Sequence, residues 1–138
     1  MQRLIKWDSK INPLSLLDKA YIPLIKRNDI LFPIYNFTYL GNNRFSIKFK
    51  YTSKGDGEIL IKGIVTLNGE LLYIEPNLKD INIQGLFFLS PEFNKGYLIM
   101  NKFSKIVHNQ IFYDEESARK MAKYYLQIEK YKILEIDL

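Results

Sequence analysis

Residues Arg44–Gly63, RFSIKFKYTSKGDGEILIKG, decide how this chain is read. Phe45, Ile47, Phe49 and Tyr51 alternate with Ser46, Lys48, Lys50 and Thr52. That period of two belongs to a strand with one buried face. SKGDG then supplies a turn, and EILIKGIVT resumes the apolar pattern. LNGEL follows, and its Asn68-Gly69 pair favours a type I′ hairpin turn.

These two turns set a register. With SKGDG as the first loop, Thr52 opposes Glu58, Tyr51 opposes Ile59, Phe49 opposes Ile61 and Lys48 opposes Lys62. With Asn68-Gly69 as the second loop, Leu67 opposes Glu70, Val65 opposes Leu72, Ile64 opposes Tyr73 and Lys62 opposes Glu75. Opposed residues of an antiparallel pair share a side. One face therefore collects Phe45, Ile47, Phe49, Tyr51, Ile59, Ile61, Val65, Leu72 and Ile74. The other face carries a row of Lys48, Lys62 and Glu75, together with Leu60, Ile64, Leu71 and Tyr73. The row reads as a solvated face whose lysines have Glu75 as a cross-strand partner. The apolar residues there require either a cover, such as the C-terminal helix, or a binding partner.

Working outward, INPLSLLDKAY predicts a short helix capped by Asn12, with Pro13 in its first turn. Pro23 stops that helix from continuing. ILFPIYNFTYL predicts a strand over 30–40, with Pro33 at an edge or a bulge, closed by a turn at Gly41-Asn42-Asn43. Further strands are expected over 81–89, 97–100 and 105–113, and a last one in KYKILEIDL. DEESARKMAKYYLQI predicts a helix capped by Asp114, with Glu115–Arg119 and Glu116–Lys120 as i,i+4 pairs. Ala118, Met121, Ala122 and Tyr125 form its apolar stripe. The expected fold is α+β within one domain. It is mainly a curved antiparallel sheet of about seven to eight strands, or a partly closed barrel. A short N-terminal helix and one C-terminal helix flank it.

Composition narrows the function. The chain has 138 residues, 47% of them hydrophobic, no cysteine and a net charge of +5. That length and hydrophobic content support a real core. The absence of cysteine excludes disulfides and suits a reducing cytoplasm. No apolar run approaches the ~20 residues of a membrane-spanning helix, and no secretory h-region follows Met1. The positive charge favours an anionic partner. Lys far outnumbers Arg, however, and A/T-rich coding, as in some bacterial or phage genomes, explains part of that excess.

No catalytic constellation is visible. His108 is the only histidine, so a structural zinc site or a catalytic triad is not expected, and His108 reads as a packed or exposed strand residue. GDGE at Gly55–Glu58 lacks the Lys-Ser/Thr of a phosphate loop and reads as a turn. Asp114, Glu115 and Glu116 read as a helix cap and dipole partners. The expectation is a small non-enzymatic binding or regulatory protein, such as an inhibitor, with neither cofactor nor metal. It would dock on a macromolecule, protein or nucleic acid. Its contacts would be Lys48, Lys50, Lys62, Ile64, Leu71 and Tyr73 on the sheet, or Lys120, Lys123, Tyr124 and Lys130 along the helix. One alternative is a carrier of a small apolar ligand lined by Phe45, Phe49, Phe87, Phe88 and Phe112. A weaker one is a metal-assisted hydrolase using Asp56, Glu58 or Glu75.

Overall fold

Alternation along Arg44–Ser53 (β4) and Gly57–Thr66 (β5) becomes the central hairpin of the sheet. A computed structural model describes residues 4–53, 57–76, 83–91, 95–108 and 110–137 of the chain. In it Lys48 opposes Lys62, Phe49 opposes Ile61, Tyr51 opposes Ile59 and Thr52 opposes Glu58, as the alternation requires. The tip of the first loop, with Asp56, and the expected strand start at Ile81 lie outside the described residues.

The remaining elements are β1 (Leu4–Lys6), α1 (Pro13–Asp18), β2 (Ile22–Arg27), β3 (Ile30–Gly41), β6 (Leu71–Glu75), β7 (Ile83–Leu89), β8 (Lys95–Asn101), α2 (Glu115–Lys120) and β9 (Tyr131–Asp137). A seven-stranded antiparallel sheet runs in the order β1-β7-β2-β3-β4-β5-β6 and curls into a half-barrel; β8 and β9 form a separate pair. Asn12 caps α1 by accepting from the Leu14 and Ser15 N–H groups. Among the described residues no helix is long and apolar enough to cross a membrane.

One face of the half-barrel holds the core. Phe32, Phe45, Ile47, Phe49, Ile61, Val65 and Phe88 are fully buried there. Ile99 of β8 joins the same cluster, as do Ala118, Met121 and Ala122 of the helical segment. Ser117 anchors that segment through Oγ, which accepts from the Leu31 N–H of β3 at 3.0 Å. Burial of this apolar surface is the main force holding β8, β9 and α2 against the sheet.

Several expectations need correction. The Asn68-Gly69 hairpin is not type I′, which demands left-handed φ at both central residues. Only Gly69 has it, at +84°. The Gly69 N–H donates to Thr66 O and the Thr66 N–H to Glu70 O, so Leu67-Asn68-Gly69 is a three-residue loop. Val65 therefore opposes Leu71, and a bulge at Leu72 restores the expected Ile64–Tyr73 and Lys62–Glu75 pairs. Leu71 turns inward over Gly63, where a Cβ would stand 3.1 Å from Leu71 Cδ1. Leu72 leaves the expected core face and is 50% exposed.

Pro33 lies in an interior strand beside a bulge at Tyr35, not on an edge. β1 and β2 escaped the sequence reading. β2 joins β3 through Asn28-Asp29, both with left-handed φ. The strand expected over 105–113 is absent as a strand. Among the described residues the stretch bridges β8 at two isolated points, Met100–Ile106 and Tyr97–Phe112. The Gln110 N–H donates to His108 Nδ1 at 3.1 Å instead of to a neighbouring strand. The C-terminal helix is shorter than expected. α2 ends at Lys120 and passes into a π-helical turn over Met121–Tyr125, closed by the Leu126 N–H bond to Met121 O. Finally, the helix packs on the core face, so it is not the cover for the outer face.

Candidate functional site

The outer face of β4, β5 and β6 is built by the alternation that buries Phe45, Ile47 and Phe49. Tyr73 stands opposite half-buried Ile64, and exposed Lys62 stands opposite Glu75 with half-buried Lys48 on the next strand. Tyr73 is 51% exposed, and its hydroxyl donates to Glu75 Oε2 at 3.2 Å. That bond and the carboxylate charge raise the phenol above its usual range. Among the described residues β6 is the last strand of the sheet, so Leu72 and Tyr73 sit at its edge. Of the expected sheet contacts, Leu71 alone is turned away from this surface, and Leu72 stands in its place.

Lys50 occupies the other end of the face. Its Nζ lies 3.0 Å from Glu58 Oε1 and 5.7 Å from the centre of the Tyr35 ring. The helix residues form a separate patch. Lys120 is bound to Glu116 at 3.1 Å, which raises its pKa. Lys123 lies over the exposed Tyr124 ring at 5.4 Å, and Lys130 is exposed ahead of β9. Because α2 packs on the core side, these residues do not join the sheet lysines into one continuous strip.

A third region was not itself expected as a site, although Lys50 and Glu58 stand at it. Between residues 107–113 and the strands β2, β3, β4 and β5 lies a groove of about 850 Å³, lined among others by Val107, His108, Gln110, Ile111 and Tyr113. Ile22, Pro33, Val107 and Ile111 give it apolar walls, and Tyr35 and Tyr113 give it rings. His108 and Gln110 supply its polar groups, with the Lys50–Glu58 pair at its rim. His108 is only 8% exposed, and burial lowers its pKa while the charge of Glu58 acts in the opposite sense. The one sequence signal for this groove was the polar interruption at His108 and Gln110 in an otherwise apolar stretch.

The expected apolar-carrier residues sit elsewhere. Phe45, Phe49, Phe88 and Phe112 are fully buried in the core cluster, with Trp7 5.4 Å from Phe45 and 5.5 Å from Phe88 between ring centres. Phe87 lies on the opposite face, in register with Leu24. Of the carboxylates considered for a metal, Asp56 lies outside the described residues, Glu58 is held by Lys50 and Glu75 by Tyr73. Among the described residues no group of three or more His, Asp or Glu side chains is gathered to hold a metal ion. Comparison of the chain with protein-family models, curated proteins and solved structures gave no match.

Proposed function

We propose that this chain is a non-enzymatic binding protein that docks on a protein partner through the outer face and edge of β5 and β6, acting as a regulator or inhibitor of that partner. The observation that carries this reading is the exposure of Leu72 and Tyr73 together at the end of the sheet. Large apolar side chains on an open edge strand are a template for strand addition or face docking. Tyr combines contact area with a polar tip, which suits an interface centre. The cations favour protein over nucleic acid. Lys48 and Lys62 oppose one another, but Lys62 also faces Glu75 and Lys50 is bound to Glu58, so the face mixes both signs instead of presenting a continuous cationic track.

The test is affinity capture from a lysate of the source cell or its host, with and without nuclease, at low and moderate salt. The same partner should be retained at both salts, lost with Tyr73→Ala, and kept when Lys123 and Lys130 are changed to Gln. Capture that depends on nucleic acid and collapses with salt would reject the protein partner. Capture indifferent to Tyr73→Ala and to Leu72→Lys would reject this face.

A further inference from the structure

We propose that the loop leaving β8, residues 102–107, is a docking surface for an anionic lipid bilayer, with Phe103 entering the acyl boundary and the surrounding lysines meeting the headgroups. Lys102 to Val107 are six consecutive exposed residues. Phe103 is 70% exposed, more than any other large hydrophobic side chain among the described residues, and Ile106 and Val107 are 53% and 40% exposed. The turn is held closed by its own bonds. Asn101 Oδ1 accepts from the Phe103 N–H at 2.9 Å and from the Lys105 N–H at 3.1 Å. The Asn101 N–H in turn donates to Lys105 O at 2.9 Å. Phe103 therefore stands in a closed turn, and its exposure is part of the fold.

The charge around it has largely one sign. No Asp or Glu occurs between Glu92 and Asp114, a stretch that contains Lys102 and Lys105. Pairing of Asn101 with Tyr131 and of Met100 with Lys132 brings Lys130 and Lys132 to the same end of the β8–β9 pair. All four lysines are exposed, and among the described residues none of them stands in an ion pair. Glu129, also exposed, is the only carboxylate within residues 127–132. Lys102 Nζ lies 5.1 Å from the centre of the Phe103 ring, so cation and aromatic side chain are presented together.

Apolar side chains flanked by unpaired lysines match the headgroup–acyl boundary of an anionic leaflet. Two other partners match less well. Single-stranded nucleic acid would stack on Phe103, but it leaves aliphatic Ile106 and Val107 without a role, and residues 95–113 and 127–132 contain no Arg for phosphate. A stable protein interface takes about 20–30 residues from each side, far more than this turn and its lysines supply. A bilayer needs no matching pocket and buries whatever apolar surface projects into it. The loop belongs to the β8–β9 pair and not to β5 or β6, so the proposal goes beyond the docking reading and does not rest on it.

The experiment is co-flotation of the intact protein with vesicles of phosphatidylcholine alone and of phosphatidylcholine with about one-quarter phosphatidylserine. The protein should float with the mixed vesicles, far less with the neutral ones, and less as salt rises. Phe103→Ser should weaken partitioning about tenfold or more, and so should Lys102→Gln combined with Lys105→Gln. These variants change exposed side chains, so their melting temperatures should match the parent's, which separates lost binding from lost fold. Phe103→Trp should keep binding, and its emission should move to shorter wavelength on mixed vesicles as the indole leaves water. Tyr73→Ala should leave flotation unchanged. No flotation with mixed vesicles would overturn the proposal. Flotation indifferent to Phe103→Ser, or an emission of Phe103→Trp that vesicles do not move, would reduce it to adhesion by net charge and overturn it equally. Binding of single-stranded poly-uridylate that depends on Phe103, with vesicles left unbound, would assign the loop to nucleic acid instead.

Discussion

A Cβ placed on Gly69 would stand 2.4 Å from the carbonyl oxygen of Trp7, and the residue's φ is +84°. Trp7 also donates from Nε1 to Leu67 O at 2.9 Å, so the loop closes directly over the indole. Gly69→Ala should therefore cost more than about 2 kcal/mol, combining left-handed strain with displacement of Trp7. Asn68, whose φ is not left-handed, should tolerate Ala within about 0.5 kcal/mol. Urea midpoints of the two variants separate this loop from a type I′ turn, which would penalise both. The distinction was not legible in Asn-Gly alone, because the contact that fixes the loop comes from Trp7, 60 residues from Leu67 in sequence. Leu71 and Leu72 were exchanged for the same reason: adjacent leucines carry no signal about which of them a bulge will expel. His108 gives a second test. Its pKa lies below the usual 6.5, so below that pH the unfolded chain binds a proton that the folded chain refuses. Stability should be full above about pH 6.5, fall as the pH drops below it, and level off once folded His108 is also protonated. The charges beside it are those of Lys50 and Glu58, 3.0 Å apart. The urea midpoint of His108→Gln should lose this part of the slope.

The helix that follows the groove shows how far local rules reach. Asp114 accepts from the Ser117 N–H, and the Glu115–Arg119 and Glu116–Lys120 pairs stand at 2.6 and 3.1 Å. All three follow from spacing and needed no tertiary information. The role of Ser117 does not follow, since its Oγ serves the Leu31 N–H of a strand 86 positions away. Ser117→Ala should strand that amide and cost about 1–3 kcal/mol, more than the roughly 1 kcal/mol expected for Asp114→Ala at the cap. Chemical denaturation of the two variants would reverse that order if the serine merely filled space. The stretch 105–113 failed as a strand because its alternation was read without its partners. β8 already pairs with β9, and the polar His108 and Gln110 divert the chain between two bridges. Likewise β2 was hidden by Pro23, although Asn28-Asp29 between two apolar runs was a legible hairpin signal.

Closure of the half-barrel explains why its two faces have opposite fates. The core side is sealed by side chains from segments distant in sequence, among them Phe112, whose ring lies 6.4 Å from Phe32, and Met121. On the outer side of β5 and β6, Leu72 and Tyr73 are about half exposed, and among the described residues no such segment seals them. Alternation alone told the faces apart, but it could not say which would be covered, because burial on the core side depends on where β8, β9 and α2 return. Phe112 marks the point where the chain rejoins β8 after the groove, through paired bonds to Tyr97 of 2.8 and 2.9 Å. If that return seals the core, Phe112→Ala should cost about 3–5 kcal/mol, the loss expected for a fully buried phenylalanine. Leu72→Ala, equally apolar but half exposed, should change stability by about 0.5 kcal/mol or less. Urea denaturation with an unchanged m-value would make the two losses comparable. A small cost at Phe112 would mean that the groove segment hangs on the sheet without closing it, and a large cost at Leu72 would mean that the outer edge is already packed in the isolated protein and is not free for a partner.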